Sequence, residues 1–168
     1  MLIIVQGAVF MKIMTNVNKK TLIINIAIPL LAGGISALIT NGAFKNYGDM
    51  VKPAFSPPSW IFPVVWTLLY FLMGVSSYIV WERDESEKRG PFAVYAIQLF
   101  LNFMWPVFFF SFRAYLFSFI WILLLWTFAL ATVIAFGRVR KSAGFLQLPY
   151  LAWITFACYL NLGIFLLN

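Results

Sequence analysis

Histidine is missing from this 168-residue chain. With it go the most common general base, the usual haem and zinc ligand, and every catalytic triad that needs an imidazole. Cysteine occurs once, as Cys158, which leaves no intramolecular disulfide to form. Charge is scarce as well: 12 Lys and Arg plus five Asp and Glu make up 10% of the residues, against about 25% in a soluble domain. No acidic residue falls inside a long apolar run, so the ordinary intramembrane proton relay or cation site is lacking. Glycine-rich phosphate loops and paired cysteine ligands are absent too. No internal repeat is visible, which counts against a carrier built from inverted halves. Conventional hydrolytic, metal or redox catalysis is therefore not expected, and neither a metal nor a resident cofactor is implied.

What is present is apolar. At 63% apolar residues, the chain has too few charges to clothe a water-facing surface, and the alternative solvent is lipid. The apolar residues come in five uncharged runs, at 22–39, 61–81, 92–112, 116–136 and 145–167. Each approaches or exceeds the roughly 20 residues a helix needs to cross a bilayer core. The fold expected is an all-α integral membrane protein, a bundle of five transmembrane helices occupying 21–168. Residues 1–20 form an N-terminal leader. Its first ten residues are apolar but lack a preceding basic region, so a flexible or misassigned start, with translation from Met11 or Met14, fits better than a signal peptide.

Basic residues are distributed unevenly. Lys12, Lys19, Lys20, Arg83, Lys88, Arg89, Arg138, Arg140 and Lys141 lie on one side of the spans, and Lys45, Lys52 and Arg113 on the other. The positive-inside rule then places the N-terminus in the cytoplasm and the C-terminus outside, in a multi-pass protein of the cell membrane. The net charge of +7 is a topology marker, and no nucleic-acid partner is expected. The connection 41–60 is long enough to serve as a lid. Pro53, Pro57 and Pro58 should keep it extended or turn-like, with Pro58 in the first turn of the second helix. The charged run 82–90 reads as a solvated turn.

Aromatic residues make up 20% of the chain. Trp60 and Trp81 sit at span ends, where interfacial anchors belong. Trp66, Trp105, Trp121, Trp126 and Trp153 lie inside spans, where each indole N–H wants a partner. Gln98, Asn102, Trp105 and Phe109 share one face of the third helix. Trp153, Ala157 and Asn161 form a stripe on the fifth, and Trp66, Tyr70 and Ser77 one on the second. Carboxamides avoid lipid, so these faces should turn inward. Together they could enclose a ligand slot or act as polar glue between helices, and the residues alone leave both readings open. On the first helix, Ala32 with Ser36 and Gly33 with Ala37 mark a close-packing face, within the monomer or across a dimer.

Three blocks carry a family resemblance. Lys52-Pro53-Ala54-Phe55-Ser56-Pro57-Pro58-Ser59-Trp60-Ile61-Phe62 with Trp66-Thr67-Leu68-Leu69-Tyr70, Gln98-Leu99-Phe100-Leu101-Asn102-Phe103-Met104-Trp105 with Phe108-Phe109 behind it, and Pro149-Tyr150-Leu151-Ala152-Trp153 through Asn161 resemble signatures of the tryptophan-rich sensory protein, or translocator protein, family. The resemblance implies a five-helix bundle, usually a homodimer, that binds porphyrins and similar flat apolar ligands in a cavity closed by the first loop. It implies ligand contacts from Tyr47, Pro57, Trp66, Asn102, Trp153 and Ala157, to which the third-helix stripe adds Trp105 and Phe109. Trp66 and Trp153 match the positions the family associates with light-dependent porphyrin breakdown, and they would be the catalytic residues if that reaction occurs. The chain departs from the family pattern at Phe55 and Asn46, where tryptophan is common, and it lacks an acidic residue near Trp121. No basic residue follows Tyr159, so cholesterol binding is not expected. The function expected is a receptor or sensor for porphyrins as ligands within the lipid bilayer, with a porphyrin-degrading enzyme or a small-solute transporter or channel as alternatives.

Overall fold

The structure, a computed structural model, describes residues 18–48 and 50–168. The leader expected at 1–20 lies outside it, apart from its last three residues. Five helices run through these residues: α1 Lys19–Phe44, α2 Ile61–Trp81, α3 Glu85–Pro106, α4 Tyr115–Val139 and α5 Lys141–Leu167. All five are long and apolar enough to cross a membrane, and no strand occurs among the described residues. This is the all-α five-helix membrane bundle that the apolar runs predict.

Local chemistry sets the ends. α1 outruns the apolar segment 22–39 because the residues that follow are uncharged and pair internally, with Thr40 Oγ1 donating to the Ser36 carbonyl at 2.9 Å. A 3-10 turn, Lys45–Gly48, ends it. Pro58 lies ahead of α2 rather than in its first turn: its carbonyl accepts from Ile61 N–H at 3.0 Å, and Pro63 takes the early helical place where a missing N–H costs little. α3 opens on Glu85 and Glu87, whose charge suits a helix N-terminus. It changes character at Pro106. Without an N–H there, the regular ladder is interrupted, and Val107–Ser111 widens into a π-turn in which Phe112 N–H reaches the Val107 carbonyl.

α1 packs on α2 and α3, α2 on α5, α5 on α4, and α4 on α3, closing a ring in the order α1–α2–α5–α4–α3. Small residues permit the close approaches. A methyl at Gly74 would collide with the Ile26 backbone of α1, and one at Gly144 would fall 2.7 Å from Gly137 Cα. Buried hydroxyls tie the helices together: Ser36 Oγ donates to the Phe103 carbonyl of α3, and Ser76 Oγ to the Ala143 carbonyl of α5, each at 2.8 Å. On the Ala32–Ala37 face of α1, Ser36 is buried and Gly33 lies directly against the Tyr70 ring, whereas Ala37 is exposed. Outside, the bundle shows leucine, isoleucine and phenylalanine, among them Leu31, Leu38, Leu68, Phe100, Ile120 and Phe145. An exterior this apolar is suited to hydrocarbon rather than water.

Candidate functional site

The antiparallel order brings the end of α1, the start of α2, the π-turn after α3, the start of α4 and the end of α5 to one end of the bundle. The loop that follows α1 closes this end. Val51 N–H donates to Asn168 Oδ1 at 3.1 Å and the Val51 carbonyl accepts from Asn168 Nδ2 at 2.9 Å. Tyr159 Oη donates to the Ala54 carbonyl at 2.9 Å, and Pro53 packs directly on Gly163. The lid is thus clasped onto α5. At its tip Phe55 is 88% exposed and holds φ of 62°, a left-handed conformation unusual for a bulky residue.

Beneath the lid, Tyr47 is only 3% exposed. Its ring meets Phe62 edge-on at 5.4 Å and Phe110 at 6.3 Å, and Lys52 Nζ lies 4.6 Å from its centroid. Burial holds the Tyr47 phenol above its ordinary range, partly offset by the facing Ser56 hydroxyl. Tyr47 caps a small chamber of about 20 Å³ formed with Phe62, Trp105, Phe109, Ala157 and Asn161. Trp105 stacks on Phe109 at 5.2 Å, and its indole N–H donates to Asn161 Oδ1 at 3.0 Å. Asn161 Nδ2 donates in turn to the Tyr115 carbonyl at 3.0 Å.

A larger cavity of about 310 Å³ lies on the other side of Phe62, Trp105 and Phe110, between α1, α2 and α3. Gly33, Ser36 and Thr40 supply its α1 wall, and Trp66 lines it from α2. Trp66 stacks on Tyr70 at 5.4 Å, and the Tyr70 hydroxyl accepts from Asn102 Nδ2 at 3.0 Å. The three shared rings are the partition between the two spaces.

Of the residues singled out in the sequence, Tyr47, Trp105, Phe109 and Ala157 surround the small chamber. Trp66 belongs to the larger cavity, and Asn102 sits one turn deeper, bonded to Tyr70. Trp153 borders neither space; it meets Phe62 edge-on at 6.0 Å and tilts against Phe156. Pro57 is half-buried in the lid and lines neither space. The five tryptophans inside spans divide by the fate of their N–H groups. Trp105, Trp121 and Trp126 tie helices together, the latter two through the Leu101 carbonyl and Thr155 Oγ1, each at 2.8 Å. Trp66 and Trp153 make no such bond among the described residues, which leaves two indole donors uncommitted. Phe110 and the α1 wall were not singled out beforehand, and Phe62 stood only within the resemblance block, not among the expected ligand contacts. In a chain with 19 phenylalanines, no spacing distinguishes these two, and Gly33 and Ser36 had registered only as packing.

No group of three or more His, Cys, Asp or Glu side chains able to hold a metal occurs among the described residues. The site offers flat apolar surface with a few neutral hydrogen-bonding groups, a composition suited to binding rather than to acid–base chemistry.

Residues 25–167 match the TspO/MBR family. The chain is 40% identical over 158 residues to the tryptophan-rich protein TspO of Chlorobaculum tepidum, covering 90% of this chain and 99% of that one. It is 38% identical over 138 residues to the translocator protein of Bos taurus, covering 80% and 82% of the two. A tryptophan-rich sensory protein of Cereibacter sphaeroides is 37% identical over 122 residues, with 73% and 76% coverage.

Proposed function

The chain belongs to the TspO/MBR family of membrane proteins, and from that premise we propose that it binds porphyrins and similar flat apolar molecules beneath its lid, as a receptor or sensor. One observation carries the reading: the rings of Tyr47, Phe62, Trp105, Phe109 and Phe110 converge at one end of the bundle, under a loop clasped to α5. Ligand pockets commonly hold about 300–1,000 Å³. The chamber under Tyr47 is far smaller, so a macrocycle would occupy it only once the Phe62–Trp105–Phe110 partition swings and joins it to the 310 Å³ cavity. Burial of the macrocycle's apolar faces against these rings supplies the affinity. Lys52 and Arg113, both exposed at the lid end, would meet carboxylate substituents. With no histidine in the chain, binding should not depend on axial iron, and metal-free porphyrin should suffice. The lid end faces the outside, the N-terminus the cytoplasm, and a second copy of the chain is the expected partner.

The test is a tryptophan-fluorescence titration of purified protein with protoporphyrin IX, in the dark and in light, beside Trp66→Phe and Trp153→Phe. Saturable quenching, weakened by Trp66→Phe, is expected. Quenching that never saturates and is the same in all three proteins would mean partition into the micelle and would overturn the reading. Light-dependent loss of porphyrin absorbance, slowed by either substitution, would add the enzymatic activity.

A further inference from the structure

Below the aromatic chamber the interior changes from rings to polar groups. The hydroxyls of Tyr95 and Tyr150, both amide atoms of Gln98 and of Gln147, and Asn102 Oδ1 are buried with no hydrogen-bond partner among the described residues. Their side chains are at most 5% exposed. Helical periodicity gathers them: Tyr95, Gln98 and Asn102 follow one another on a face of α3, and Gln147 and Tyr150 lie one turn apart on α5. Tyr150 faces Tyr70 and Tyr95 across the bundle and comes within side-chain hydrogen-bonding reach of Gln98, as Tyr95 does of Ser77 from α2, but neither contact has the geometry of a formed bond. All of these residues lie within membrane-spanning helices.

Unpaired amides and hydroxyls at this depth are costly, and native interiors keep few of them. What would satisfy this set is constrained by its chemistry. Each glutamine offers two N–H donors and a carbonyl acceptor, and each tyrosine hydroxyl can act both ways. No carboxylate is present to hold a cation and no ammonium to hold an anion. An apolar ligand would leave every group unpaired. A small neutral molecule that donates and accepts at once fits, and that molecule is water.

We propose that the centre of the bundle is a water-binding site, in which water molecules bridge Gln98 and Gln147 to the Tyr95 and Tyr150 hydroxyls and to Asn102 Oδ1. The site adjoins the lid-end region at two places: at Tyr150, whose ring meets Trp66 edge-on at 6.2 Å, and at Asn102, whose nitrogen is committed to Tyr70.

The sequence makes the test direct, because the only glutamines are Gln6, Gln98 and Gln147. Full-length protein in lipid nanodiscs, labelled with nitrogen-15 at glutamine side chains, would be examined by proton-detected solid-state NMR with short magnetisation transfer from water. Gln6→Ser leaves two side-chain amides, and both should receive water magnetisation. Tyr150→Phe should weaken transfer to Gln98. Failure of either remaining amide to receive transfer in the folded Gln6→Ser protein would overturn the site, because the amides would then be paired directly within the protein. Should Tyr150→Phe fail to fold, the Gln6→Ser spectrum decides alone.

Discussion

The Asn161 carboxamide links α3, α4 and α5 at once, accepting from the Trp105 indole and donating to the Tyr115 carbonyl. In Asn161→Leu both bonds go, and the buried Trp105 N–H is left unpaired at a cost of about 1–3 kcal/mol. Thermal unfolding in detergent should show a lowered Tm. Trp105→Phe should also destabilise, but the double variant should lose less than the sum of the two, because the orphaned donor has gone with its partner. Additive losses would mean the pair is not coupled. Asn102, Trp105 and Phe109 could be read from the sequence at this scale, because carboxamides on a helical face have one tolerable direction in lipid. What could not be read was the division of labour among tryptophans. Whether an indole N–H ties two helices or stays free depends on what stands opposite, as Leu101 stands opposite Trp121.

At the scale of elements, the lid and α5 form one device. Gly163 lies under Pro53, and a Cβ there would fall 2.6 Å from the proline ring. Gly163→Val should therefore lift the lid and weaken the Asn168–Val51 clasp while leaving the helix ring intact. The expected outcome is faster dissociation of bound porphyrin in stopped-flow fluorescence, by roughly 5- to 30-fold for a loss of about 1–2 kcal/mol, with little change in Tm. Unchanged dissociation would show that the clasp does not govern the site. Helix boundaries were legible wherever charge marked them. The π-turn was not: residues 92–112 read as one uninterrupted apolar run, and only the missing N–H of Pro106 hints at the widening. That widening lets the neighbours Phe109 and Phe110 both turn inward.

For the whole molecule, the basic residues predict orientation and Cys158 makes it testable. In a Cys158→Ser background, single cysteines would replace Ser59, ahead of α2, and Ser86, at the start of α3, both exposed. Ser59→Cys in intact cells should react with a membrane-impermeant maleimide, and Ser86→Cys only after lysis. The reverse pattern would invert the topology. The five-helix fold itself was legible because composition and run length leave a bilayer as the only suitable solvent. The partition between the two cavities was not, because it depends on how three rings from α2, α3 and the π-turn meet in space.

The polar centre and apolar exterior also change what unfolding means for this chain. A soluble domain that opens exposes hydrocarbon to water, and its heat capacity rises steeply. When these helices separate in lipid, apolar outer faces such as those of Leu38 and Phe100 stay where they were. Among the groups newly exposed to hydrocarbon, the polar ones include Gln98, Asn102, Gln147 and Asn161. Helix separation should therefore carry a small heat-capacity change, and the bundle's cohesion should come from packing and hydrogen bonding rather than from the expulsion of water.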